Sequence, residues 1–142
     1  MTSLPIHCDW PDADVAAALE RLCSEFCWLV DQGHADKTDH LFTDDVHYHA
    51  QGVLSIGKAA VMERMRARAA KTGYATRHLS LGHRFHVEAA GDVIGHSTLV
   101  VFRDTTLPAV VADVHDRYRR LPNRSWRIAA RHIEAVMRSV SE

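Results

Sequence analysis

The residues with the most chemistry in them lie between Trp28 and His49, in WLVDQGHADKTDHLFTDDVHYH. Asp31 closes an amphipathic helix there, and a carboxylate in a last helical turn sits against the negative end of the helix dipole, which disfavours its ionised form. A residue so placed is a candidate for proton transfer; capping the backbone after Gly33 or pairing with Arg131 would also account for it. Tyr48 follows on a strand between His47 and His49. A phenol there could hold a developing enolate oxygen or protonate a leaving hydroxyl, or it could simply pack.

The chain holds eleven histidines, which invites metal chemistry. His47 and His49 point to one side of a strand and form a usable ligand pair, which His132 or His83 could join. No third ligand stands at a diagnostic spacing, so neither a metal nor any other cofactor is expected. Cys23 and Cys27, four apart on a helix, read as small core residues rather than ligands.

Several elements must position these side chains. A first helix begins near Asp12 or Asp14 and runs to about Val30, with Val15, Leu19, Leu22, Cys23, Phe26 and Val30 as its buried stripe. Gly33 permits the reversal that ends it. A short helix from about Ala35 to Phe42 follows. A strand then starts at Val46, with Val46, Tyr48 and Ala50 on one face and His47 and His49 on the other. Gly52 interrupts it, and a third helix starting at Ser55 to Gly57 buries Val61, Met62, Met65 and Ala69 while Arg64 and Arg68 stay in solvent.

From Thr76 the pattern is an antiparallel meander, with strands over Thr76–Ala89, Val93–Arg103, Ala109–Arg120 and Trp126–Met137 joined by turn chemistry at Gly91-Asp92, residues 104–108 and Leu121-Pro122-Asn123. Helices first and strands after argue for an α+β fold, three N-terminal helices packed on a curved antiparallel sheet around a cone-shaped pocket. In the first meander strand, His78 shares parity with Ser80, Gly82 and Arg84, against Leu79, Leu81, Phe85 and Val87. A bulge at Gly82 or an outer sheet face covered in a dimer would reconcile the two sets, and the dimer is the reading preferred. Arg117, Arg119, Arg120, Arg124, Arg127 and Arg131 read as a solvated basic edge.

The 142 residues suffice for one domain, residues 1–142, with 1–12 as a loose arm. Hydrophobic residues make up 46% and charged residues 25%, and the net charge is −1, so no basic field recommends nucleic acid or anionic lipid as a partner. No apolar run approaches the roughly 20 residues that span a bilayer. Three cysteines and the lack of a charged-then-apolar leader point to a reduced, cytoplasmic protein.

The segments LVDQGHAD, DDVHYH after LFT, TRHLSLG and RSWRIAARHI together resemble the SnoaL-like branch of the NTF2-like (cystatin-like α+β) superfamily, over residues 13 to 138. Its nearest catalytic resemblance is to scytalone dehydratase-like and lindane dehydrochlorinase-like proteins. That resemblance implies an acid–histidine dyad of Asp31 and His78, with Tyr48 polarising the substrate. It also implies that Arg103 lies near the pocket rim; Trp28, Phe102 and Trp126, with His132, are further candidates for the pocket walls. Phe102 or Arg103 stands where the dehydratase has a second histidine.

The activity so implied is a cofactor-independent lyase (dehydratase) or isomerase acting on a small apolar cyclic or polyketide-like substrate, in a homodimer or higher homo-oligomer formed through the sheet. Two other readings stay open. One is a non-catalytic binding or assembly module resembling a ring-hydroxylating dioxygenase small subunit; the other is a dehalogenase or epoxide hydrolase using the same pocket.

Overall fold

The structure, a computed structural model, describes residues 3–104 and 107–139. Helix α1 spans Ala13–Asp31 and buries Leu19, Cys23, Phe26, Cys27, Leu29 and Val30; of the expected stripe, Val15 and Leu22 are only half-buried, and Cys27 and Leu29 join it. The His34 amide bonds the Leu29 carbonyl at 2.7 Å, and Gly33, at φ +81°, makes the left-handed turn that closes the helix.

The short second helix expected at 35–42 is instead two 3₁₀ turns, Ala35–Lys37 and Asp39–Leu41. Buried Thr38 explains the break: its hydroxyl donates to the Ala35 carbonyl at 2.8 Å, a local bond that competes with continued helix. The first strand begins earlier than its pattern suggests, β1 covering Phe42–Ala50 with Val46, Tyr48 and Ala50 buried. A tight turn at Gln51 and Gly52, both at positive φ, returns the chain as β2, Val53–Ile56. Only then does α2 begin, Lys58–Ala70, burying Val61, Met62 and Met65.

The meander follows as β3 (Thr76–Val87), β4 (Val93–Arg103), β5 (Pro108–Arg120) and β6 (Trp126–Arg138). The sheet order is β2-β1-β6-β5-β4-β3, antiparallel except where β1 runs parallel to β6. Two α-helices therefore pack on a six-stranded sheet, and the third helix of the expectation is the pair of 3₁₀ turns. The core lies between the helices and the inner sheet face, where Phe85, Val93, Tyr118 and Ile128 are almost fully enclosed. Gly95 is obligatory there: a Cβ would stand 2.9 Å from Cε2 of Tyr118.

The parity conflict in β3 is resolved by a bulge. Register slips between Leu81 and Arg84, and Gly82 sits at φ +67°. His78 and Phe85 thus both reach the inner side, while Leu79 and Leu81 stay 47% and 45% exposed on the outer face. Residues 3–12, expected as a loose arm, are held along β3: the Val87 amide donates to Asp9, the Asp9 amide to the His86 ring, and Arg84 to the Ile6 carbonyl.

Candidate functional site

The end of α1 meets the start of β3, and the meeting is made by Asp31. Its Oδ1 lies 2.5 Å from Nδ1 of His78, and its Oδ2 accepts the His78 amide at 2.7 Å. The Thr76 hydroxyl donates to Oδ1 at 3.0 Å and itself accepts from Arg68 at 2.9 Å. Three donors therefore converge on one carboxylate at a helix C-terminus and offset the unfavourable dipole. With Nδ1 turned to the carboxylate, Nε2 stays available on the ring's other side. The Asp31 side chain is 6% accessible and that of His78 18%.

His78 lies on the wall of a cavity of about 590 Å³, between α1, α2 and the concave sheet. Phe26, Val30, Leu99, Val101 and Ile133 make its apolar walls, and Tyr48 and Arg103 line it too. Tyr48 is buried with the Arg64 guanidinium 5.2 Å from its ring centroid. Burial pushes its phenol above the ordinary value, so it remains a hydrogen-bond donor throughout the neutral range. Tyr74 stands at the rim with Arg103 and Arg68 over its ring at 5.0 and 5.3 Å.

Arg64 and Arg68 were expected in solvent, yet Arg64 donates to the carbonyls of Ala50 and Val53 and Arg68 to Thr76. Their spacing of four along α2, which sets both on one helix face, was the available signal.

The alternative partner for Asp31 is committed elsewhere. Arg131 makes a bidentate ion pair with Asp116, Nε to Oδ1 and NH2 to Oδ2, both at 2.8 Å, and is 4% exposed rather than part of a solvated edge. Burial alone would lower the Arg131 pKa, but the adjacent carboxylate more than reverses this and holds it well above the usual value. Tyr118 donates to Asp116 at 2.7 Å and lies 3.1 Å from the Cys23 sulfur. Burial raises the Cys23 thiol and pushes Cys27 up to about 12, so both are inert apolar residues.

Several anticipated wall residues fall elsewhere. Trp28 is 56% exposed and stacks on His34, because it faces away from the buried stripe of α1. Phe102 lies on the outer sheet face, since its neighbours Val101 and Arg103 take the cavity side and successive strand residues alternate. Trp126 lines a separate cleft with Trp10 and Val87, under Arg120. His132 borders the cavity along its strand, but Arg131 points inward, so the His132 ring turns outward, 4.4 Å from that of His49. His83, the other suggested metal partner, stacks on Phe85 and lies 3.2 Å from Ser80 Oγ.

With this geometry in place, comparison with known proteins gives the family: the profile of the SnoaL-like domain matches residues 12–132. The chain belongs to the SnoaL-like domain family. Solved structures resembling this SnoaL-like chain have the same fold at low identity. A Nostoc punctiforme protein of unknown function, described as having a cystatin-like fold, is 20% identical with a TM-score of 0.75, covering 94% of this chain and 95% of its own. A Novosphingobium aromaticivorans protein provisionally assigned as a scytalone dehydratase is 14% identical with a TM-score of 0.77, over 91% of this chain and 89% of that one. A Catenulispora acidiphila protein in complex with S-DNPA is 17% identical with a TM-score of 0.75, over 87% and 95%. Among curated proteins, no sequence matches.

For this SnoaL-like chain the cavity is of the size that encloses a small organic ligand, about 300–1,000 Å³. Its wall carries one imidazole oriented by a carboxylate and one buried phenol, groups able to accept and donate a proton.

Proposed function

We propose that the protein is a cofactor-independent lyase of the dehydratase type, or an isomerase, acting on a small, mostly apolar cyclic or polyketide-like molecule. The observation that carries this reading is the 2.5 Å contact of Asp31 Oδ1 with His78 Nδ1 at the wall of the apolar cavity. Asp31 fixes the tautomer, so Nε2 of His78 is the base that removes a proton next to a carbonyl or a hydroxyl-bearing ring carbon. Asp31 also stabilises the imidazolium that forms.

Tyr48 donates to the oxygen on which charge develops, or to the departing hydroxyl. Phe26, Val30, Leu99 and Val101 exclude water and strengthen both interactions. Arg103 at the rim orients a hydroxyl or anionic group of the substrate. If the proton leaves with a β-hydroxyl, water is eliminated; if it returns at another carbon, a double bond moves.

The test is a panel of β-hydroxylated and β,γ-unsaturated cyclic ketones incubated with the protein in D2O. Loss of water or deuterium uptake at the α-carbon is expected with wild type and absent in His78→Ala. A folded His78→Ala variant of undiminished activity would overturn the proposal.

A second reading concerns assembly. Leu79 and Leu81, with Met137 63% exposed, leave an apolar strip on the outer sheet face, which suits pairing of two copies through the sheet. Sedimentation equilibrium measures it: a dimer that Leu79→Lys/Leu81→Lys turns into a monomer is the expected result.

A further inference from the structure

The outer sheet face carries a feature that the cavity chemistry does not use. His49, His132, His115 and His96 are register partners in sequence, His49 opposite His132, His132 opposite His115, and His115 opposite His96. They form a row of imidazoles across β1, β6, β5 and β4, with ring centroids 4.4, 6.4 and 5.2 Å apart. Asp113 lies two residues before His115 and therefore on the same face, with Oδ1 3.1 Å from Nε2 of His96. One ligand atom from each of His96, Asp113 and His115 lies within 4.8 Å of the others, the one such set among the described residues.

We propose that His96, Asp113 and His115 bind a divalent transition-metal ion, zinc or an ion of similar preference, on the outer face of the sheet. Two imidazoles and a carboxylate suit zinc, nickel or copper rather than calcium or magnesium, which take oxygen ligands. Metal–ligand bonds near 2.0–2.2 Å set ligand atoms roughly 3.3 Å apart in a tetrahedron. The His96–Asp113 separation already has that size, and the remaining closure needs only side-chain rotation.

The surroundings favour a cation. Glu134 is the β6 partner of Asp113 and adds a second negative group beside the site. The two nearby arginines are engaged elsewhere, Arg84 with the Ile6 carbonyl and Arg117 with Glu88 and Asp92. His132, whose ring is next to that of His115, is the available fourth ligand. Because β4 and β5 are interior strands, the backbone beneath the ligands is pre-organised and binding requires no refolding. The bound ion ties these two strands together on the face opposite the Asp31–His78 dyad.

The experiment uses the tag-free full chain, stripped with EDTA and titrated with zinc chloride by calorimetry, and with Co²⁺ as an absorbing surrogate. One equivalent with micromolar or tighter affinity is expected, together with the visible absorption of four-coordinate cobalt and a Tm rise of roughly 4 °C or more at saturation. His96→Gln/His115→Gln, and separately the nearly isosteric Asp113→Asn, should each weaken binding by at least ~10-fold and remove the thermal shift, with the metal-free far-UV spectrum unchanged. His78→Gln should bind zinc as wild type does. Absence of saturable binding, undiminished affinity in both outer-face variants, or loss of binding in His78→Gln would each overturn the site.

Discussion

Two carboxylates on the cavity side of this sheet each hold one basic partner, and the two pairs do opposite things. Asp116 and Arg131 are 2% and 4% exposed, joined by two parallel 2.8 Å bonds, with the remaining donors of Tyr118 and Cys23 closing around them. A guanidinium does not release its proton in a protein, so this pair is a fixed strut between β5 and β6. Asp31 holds an imidazole instead, a ring with two nitrogens, of which one meets the carboxylate and the other remains on the side of the cavity that His78 lines. What separates structure from chemistry here is the partner's acidity and its access to a ligand, more than the strength of the pair.

The sharpest way to break the comparison is Asp116→Ala. It leaves a guanidinium buried without its counter-charge, a change that costs about 3–5 kcal/mol, read as a large drop in the urea midpoint. His78→Ala should do the reverse, lowering kcat/KM by about 10²–10⁴-fold on whatever ketone the panel identifies while moving the urea midpoint little, because Asp31 keeps the His78 amide and Thr76 as donors. Should Asp116→Ala abolish turnover at full stability, or His78→Ala unfold the chain, the assignment of roles is reversed.

Smaller effects sharpen it. Thr76→Val removes the hydroxyl linking Arg68 to Asp31, and about 1 kcal/mol of stability is expected to go with it, together with a modest fall in kcat as the dyad loses alignment. The smallest effect is one of pH. Burial lowers the pKa of His83, and burial followed by neighbouring His49 lowers that of His132. A histidine whose folded pKa lies below its unfolded value near 6.5 contributes stability that is complete above that value. That contribution is lost as pH falls from there toward the folded pKa, because the unfolded chain takes up the proton first. Tm measured from pH 7.5 to 5 should therefore decline, and His83→Gln should flatten the decline.

Much of the fold was legible because it rests on periodicity. The stripe of α1, the alternation in β1 and the bounds of β4 follow from local pattern; Asp31 stood out at the end of a helix, whereas His78 was singled out only through the family resemblance. The misreadings have separate physical causes. The 3₁₀ turns at 35–41 arise from a Thr38 side-chain bond that pattern does not register. Arg131 looked solvated because its partner is fifteen residues away across a hairpin. Phe102 was assigned inward beside Arg103, although one residue of register sends them to opposite faces. Trp28 and Trp126 were candidates for the wall, whereas helix rotation and strand position put them outside it.

By itself, then, the sequence determined the α+β class and the order of the meander strands, since hydrophobic period and turn chemistry are local properties, while the family entered through the resemblance carried by segments such as LVDQGHAD and TRHLSLG. Tertiary structure alone decided that Arg131 is buried against Asp116. It also decided which way β3 faces after its bulge at Gly82, and that His49, His132, His115 and His96 fall into one row. Each of these depends on the register of strands far apart in the chain, and register is set by packing the whole core at once, which no single segment encodes.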